Sequence, residues 1–228
     1  MPLNAPDAKW TEVEQYIAGR LVGQDAALDA AAAANSTAGL PPIEVAPNAG
    51  KLLYLLARLV GARRILEIGT LGGYSTIWLA RALPKDGRLI TLEYEEKHAK
   101  VARENLNRAG VGERVEIRVG KALDSLEKIA AEKLEPFDFF FIDADKRNNP
   151  NYLRWAHKLA RVGSLIVVDN VVRDGAVIEA ENPDPDIQGT RKLFEMLAGE
   201  PGLTATALQT VGSKGYDGFA MALVEKAG

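Results

Sequence analysis

Cysteine is absent from the 228 residues, which excludes disulfides, thiolate metal sites, iron–sulfur clusters and a cysteine nucleophile. Histidine occurs only twice, too few for a three-His zinc site. Charge of one sign is lacking as well: 28 Lys and Arg stand against 31 Asp and Glu, a formal net charge of −3. A dedicated nucleic-acid binder needs a basic surface for its phosphate contacts, so that class is set aside. No apolar run approaches the ~20 residues of a membrane span, and the first residues lack the basic-then-apolar pattern of a signal peptide. What is present, 47% hydrophobic and 26% charged residues with 21 Gly and 11 Pro, is ordinary globular composition. The expectation is a soluble, cytoplasmic protein that meets neither nucleic acid nor membrane.

Along the chain, residues 1–40 read as a helical accessory layer or lid. Trp10 to Val22 has helical spacing, and Asp25 to Asn35 is mostly Ala, the best intrinsic helix former. Leu40-Pro41-Pro42 interrupts the pattern. A further helix over about Ala49 to Val60 carries five leucines at core-facing spacing. From Arg64 the chain alternates: strand Arg64–Ile68, helix Tyr74–Leu83, strand Arg88–Tyr94, helix Glu95–Ala109, strand Arg114–Val119, helix Ala122–Lys133. The apolar runs Phe137–Ile142 and Ser164–Val168 flank a helix around Tyr152–Ala160. After a helix around Thr190–Ala198, Leu203–Thr210 and Phe219–Glu225 flank a Gly-containing turn and suggest an antiparallel pair. Repeated βα units imply a doubly wound α/β fold with a mainly parallel sheet, and ligands at the carboxyl ends of the strands. One domain is expected over 1–228, with 41–228 as its core.

The segment Glu67-Ile68-Gly69-Thr70-Leu71-Gly72-Gly73-Tyr74-Ser75-Thr76 joins the first strand to its helix. Glycines there allow a tight turn and a close backbone approach to a ligand, though such turns are common. A dinucleotide fingerprint would have glycine where Glu67 stands. A carboxylate at that place repels phosphate and accepts hydrogen bonds from an ammonium group. Glu93 closes the next strand, 26 residues after Glu67, where an acid takes both ribose hydroxyls in dinucleotide folds. An adenosine joined to an amino-acid ammonium without phosphate fits both acids: S-adenosylmethionine. The plain alternative makes Glu93 a solvated acid opening the charged stretch that follows. His98, in that stretch, reads as solvated, and His157 as a structural residue.

Two later strands end in acids. Phe139-Phe140-Phe141-Ile142 runs into Asp143-Ala144-Asp145-Lys146, and Leu165-Ile166-Val167-Val168 into Asp169-Asn170. Asp143, Asp169 and Asn170 offer three hard oxygen donors, a set suited to Mg²⁺, with Ca²⁺ or Mn²⁺ as alternatives. Turn or helix-cap roles compete for each acid. Lys146 would be the base, since an ammonium near a divalent cation and partly out of water gives up its proton more readily. A plain surface lysine is its competitor.

Together these residues resemble the cation-dependent class I O-methyltransferases, of the caffeoyl-CoA and catechol O-methyltransferase type. The matching motifs are Leu66-Glu67-Ile68-Gly69-Thr70 with Gly73-Tyr74-Ser75-Thr76, then Glu93, Phe141-Ile142-Asp143-Ala144-Asp145-Lys146, and Asp169-Asn170, in order over about residues 40–228. The resemblance implies a seven-stranded Rossmann-like sheet with a reversed last strand, and a homodimer. It implies that Asp143, Asp169 and Asn170 hold the metal and that Lys146, beside Asp143, deprotonates a phenol. It places the donor against Glu67, Gly69, Thr70, Ser75, Glu93, Ala122, Asp143 and Asp145, with Val45 contributing backbone. Arg173 and Tyr216 are candidates for the acceptor pocket. Plant enzymes of this type that act on CoA thioesters carry N-terminal and insertion-loop contacts not found here, which counts against a CoA-linked acceptor. The function expected is methyl transfer to one oxygen of a vicinal diphenol. Its rivals are an NAD(P)-dependent oxidoreductase, disfavoured by Glu67, and a noncatalytic S-adenosylmethionine-binding protein.

Overall fold

The computed structural model describes residues 7–226 and 228, so the first six residues of the expected accessory layer lie outside the described residues. Seven strands form one sheet in the order β3-β2-β1-β4-β5-β7-β6. They are β1 (Arg64–Ile68), β2 (Arg88–Glu93), β3 (Val115–Val119), β4 (Phe137–Ile142), β5 (Ala160–Asp169), β6 (Leu203–Gly212) and β7 (Gly215–Val224). β7 runs antiparallel to both β5 and β6, whereas β1, β2 and β3 pair parallel, as do β4 and β5. This is the doubly wound α/β fold that the repeated βα units imply, with the reversed last strand that the family resemblance implies. The helices are α1 (Ala8–Leu21), α2 (Ala26–Thr37), α3 (Pro47–Leu59), α4 (Tyr74–Ala82), α5 (Glu96–Arg108), α6 (Ala122–Ala131), α7 (Asn149–Leu159) and α8 (Pro185–Gly199).

The chain packs as two compact units, one over Gln15–Glu135 and the other built on Pro136–Gly228. In the first, β1 and β2 are buried along nearly their whole length. That burial matches continuous apolar strands covered on both faces. Asp25 caps α2 by accepting from Ala27 N and Leu28 N, both at 3.1 Å. It also holds Arg81 of α4 at 2.5 Å, so the accessory layer is tied to the helix that follows the glycine loop.

In the second unit, all six residues of β4 are buried, Asp138 among them. A buried carboxylate is costly unless paired, and Arg161 Nε donates to Asp138 Oδ1 at 2.6 Å. β5 begins at Ala160, four residues before the apolar run that marks it in the sequence. Ser164 explains the extension: its hydroxyl accepts from Arg161 N at 3.0 Å and donates to Phe137 O at 2.8 Å, where the register of β4 against β5 shifts. Two helices also start earlier than their apolar spacing predicts. Pro150 sits in the first turn of α7, and Asp184 caps α8 with Pro185 at its first position. Proline is suited to that position because the missing N–H would have no helical partner.

Candidate active site

In the first unit the glycine loop is organised by two buried carboxylates. Gly69, Leu71 and Gly73 have φ of 101°, 49° and 83°, a left-handed alternation that turns intervening amides to one side. The amides of Thr70 and Leu71 donate to Glu93 Oε2 at 3.2 and 2.8 Å, and Glu95 N donates to Oε1 at 2.9 Å. Glu93 is 7% exposed, so it is no solvated helix opener. His98 differs from expectation too: its Nδ1 lies 3.3 Å from Glu93 Oε1 with the side chain 20% exposed. The turn from β2 into α5 brings residue 98 back over the strand end, a fold that its charged neighbours do not reveal.

Glu67 is fully buried. Ser75 Oγ donates to its Oε1 at 2.6 Å, while Thr76 and Thr91 hydroxyls donate to Oε2 at 2.5 and 2.7 Å. The register sets Thr91 directly opposite Glu67, which sequence spacing alone does not show. Gly72 is gripped from outside the loop. Asn105 Nδ2 donates to Gly72 O at 2.9 Å, and a Cβ on Gly72 would stand 1.7 Å from Asn35 Oδ1. Asn35 and Asn105, from α2 and α5, are thus loop-shaping residues that no sequence motif marks. Val45 is buried ahead of α3, and Ala122 is the first residue of α6.

The acidic strand ends lie in the second unit. Asp143 follows β4, and Lys146 opens a three-residue 3₁₀ turn. Lys146 is 6% exposed, so it is not a surface lysine; its Nζ donates to Asp143 Oδ1 at 2.7 Å. Asp145 ties this turn to α7 by accepting from Tyr152 Oη at 2.5 Å and Asn148 Nδ2 at 2.6 Å. Burial and the Asp145 carboxylate push the Tyr152 phenol far above its ordinary range, which keeps it a donor.

Asp169 ends β5, and Asn170 follows in a left-handed conformation at φ 56°. Asn tolerates that region better than most residues. Burial, and then the charge of Asp143, push the Asp169 carboxyl up to about 7, with Lys146 opposing and Asp217 adding to the rise. The loop after Asn170 is fastened to β7: Asp217 Oδ1 accepts from Val172 N at 2.9 Å and Arg173 N at 3.0 Å. Arg173 has φ 57° and a buried Nε without a hydrogen-bond partner. Tyr216 bonds Gln209, and its ring lies against Gly175. Among the described residues no group of three or more His, Cys, Asp and Glu gathers as a metal centre. The expected set therefore rests on two carboxylates and an amide. Its chemistry fits a divalent cation, because Asp143 and Asp169 repel one another more than Lys146 relieves.

Comparison with known proteins identifies the family. A family model described as O-methyltransferase matches residues 24–223, which takes in α2 of the accessory layer. The chain is 55% identical over 221 residues to a catechol O-methyltransferase of Mycobacterium tuberculosis, covering 97% of this chain and 96% of that protein. It is 53% identical over 213 residues to a catechol O-methyltransferase of Niastella koreensis, covering 93% and 96%. The crystal structure of an O-methyltransferase from Bacillus cereus, in complex with S-adenosylhomocysteine, superposes with a TM-score of 0.94 at 57% identity, covering 95% of this chain and 98% of that one.

The raised Asp169 carboxyl gives a pH prediction. Between the ordinary 3.8 and about 7 the folded chain holds a proton that the unfolded chain has lost. Stability without a divalent cation should therefore fall on this account as pH rises through that window and level off above it. Denaturant unfolding of chelator-treated protein should show that slope, and Asp169→Asn should flatten it. An identical slope in both proteins would contradict the assignment.

Proposed function

The chain belongs to the O-methyltransferase family and is an S-adenosylmethionine-dependent enzyme of it, and from that premise we propose that it methylates one oxygen of a free catechol-type acceptor with the help of a divalent cation. The observation that carries this reading is the pairing of the buried Lys146 with Asp143, 2.7 Å apart just after β4, with a second carboxylate, Asp169, at the end of the neighbouring strand. Two relatives above 50% identity bear the name catechol O-methyltransferase, which supports a vicinal diphenol over other acceptors. We further propose one cytoplasmic catalytic domain acting as a homodimer; among the described residues no helix is long and apolar enough to cross a membrane.

On the donor side, Glu93 accepts the ribose hydroxyls at the edge of the loop whose amides it holds. Ser75, whose hydroxyl donates to Glu67 Oε1, presents its lone pairs to the donor's ammonium, with Glu67 holding the hydroxyl in that orientation. Backbone of Val45, Gly69, Thr70 and Ala122 completes the donor contacts of this unit. The NAD(P) rival fares worse, because Glu93 already fills the amides that a pyrophosphate would use.

On the acceptor side, Asp143, Asp169 and Asn170 would hold Mg²⁺, with Ca²⁺ or Mn²⁺ as alternatives. Such a cation would supply Lewis acidity that makes an acceptor hydroxyl easier to deprotonate. Lys146 Nζ, oriented by Asp143 Oδ1, accepts the proton of one hydroxyl. The phenolate oxygen then forms a bond to the methyl carbon while the carbon–sulfur bond breaks, leaving S-adenosylhomocysteine. Arg173 and Tyr216 border the acceptor from the loop and strand beyond Asn170. Much of the rate comes from holding both reactants in line.

Four experiments test this reading. Glu93→Ala should weaken S-adenosylmethionine and S-adenosylhomocysteine binding together by about 1.5–3 kcal/mol, the value of a hydrogen bond to a charged group; unchanged calorimetric affinity for both would remove Glu93 from the donor site. EDTA should abolish turnover of pyrocatechol and Mg²⁺ restore it, and Lys146→Ala should lower kcat by ~10²–10⁴-fold, as general-base assistance is worth. Lys146→Arg should fail nearly as badly, since it keeps the charge without a ready proton acceptor. Full activity in metal-free enzyme, or near wild-type kcat with Arg, would refute the mechanism.

A further inference from the structure

We infer that α8 is the positioning element for Lys146, acting through Gly189 and Asp186; the inference rests on the reading of Lys146 as the proton acceptor. Lys146 belongs to a 3₁₀ turn of only three residues, Lys146–Asn148, and so short a turn does not fix its own placement. On one side Asp145 fastens the turn to α7. The other side is α8. Asp186 Oδ1 accepts from Arg147 N at 3.1 Å and from Arg147 Nε at 3.0 Å. Thr190, fully buried, returns its hydroxyl to Asp186 O at 2.9 Å, which steadies the helical turn that carries Asp186.

Between those two residues stands Gly189. A Cβ there would lie 2.4 Å from Lys146 O, 2.5 Å from Arg147 Cα and 3.0 Å from Arg147 C. Gly189 lies within α8 and is not among the residues with positive φ, so its backbone makes no demand for glycine. Glycine in that setting costs helix stability relative to alanine. The close approach to the Lys146 main chain is what requires it. Every atom in that contact is backbone, so a side chain cannot be accommodated by a rotamer change; the turn itself must move. Lys146 Nζ, 2.7 Å from Asp143 Oδ1 and nearly out of solvent, would move with it.

A packing role alone predicts a lower Tm and nothing specific to proton transfer. A positioning role predicts a loss that depends on how acidic the acceptor hydroxyl already is. The test uses full-length Gly189→Ala and Asp186→Ala with saturating Mg²⁺ and S-adenosylmethionine, comparing kcat on pyrocatechol and on 4-nitrocatechol. For Gly189→Ala, kcat on pyrocatechol should fall by about 10²-fold, the scale of a 1 Å misplacement. The loss on 4-nitrocatechol should be much smaller, S-adenosylhomocysteine affinity should hold, and the pH–rate profile should rise later. Asp186→Ala removes two hydrogen bonds without adding bulk, so it carries the same comparison if Gly189→Ala does not fold, with a smaller loss in the same ratio. Equal losses on both acceptors, or unchanged kcat on pyrocatechol in a folded variant, would overturn the inference. Lys146→Ala, run in parallel, separates the causes. Acceptor dependence in Lys146→Ala but not in the α8 variants defeats the inference alone. Its absence from Lys146→Ala defeats the base assignment, and the inference with it.

Discussion

The donor half of the molecule depends on one interaction: the Glu93 carboxylate receiving the amides of Thr70 and Leu71. Backbone N–H groups at a strand-to-helix turn form a small anion-binding cup. In a dinucleotide fold a phosphate fills it. Here the chain supplies its own anion from the neighbouring strand, and the left-handed backbone at Gly69, Leu71 and Gly73 is the shape that lets the amides converge. Glu67, next to last in β1, accepts hydrogen bonds from the hydroxyls of Ser75, Thr76 and Thr91.

The acidic half follows a complementary logic. Asp143 follows β4 and Asp169 ends its parallel neighbour β5, with Ile142 opposite Val168 in register, so two carboxylates stand at neighbouring strand ends and the buried Lys146 pairs with the first of them. The raised Asp169 carboxyl expresses that imbalance. On the reading proposed above, the same imbalance is what would draw a divalent cation to the place. α8 and α7 then fix where the lysine sits, through contacts remote from the reacting atoms.

Much of this is legible in the sequence because the relevant signals are local. β1 and β4 match their apolar runs end to end, and Glu67, Glu93, Asp143 and Asp169 all stand at or just after strand ends, where an α/β sheet collects its ligands. The unread parts are non-local or use polar residues structurally. The early start of β5 depends on Ser164 bridging a register shift. The Asp184-Pro185 start of α8 looks like loop unless the cap and first-position proline are recognised together. Thr91, Asn35, Asn105 and Gly189 carry no motif, because their roles exist only once strands pair and helices dock. His98 reads as a surface residue until the turn after β2 folds it onto Glu93.

The most direct measurement is the fate of a labelled methyl group on two acceptors that differ by a single hydroxyl. With methyl-labelled S-adenosylmethionine and Mg²⁺, pyrocatechol should yield its labelled monomethyl ether and one equivalent of S-adenosylhomocysteine, while phenol, which lacks the second oxygen, should yield almost none. Equal labelling of phenol and pyrocatechol, or labelling of neither while the donor binds normally, would contradict the account.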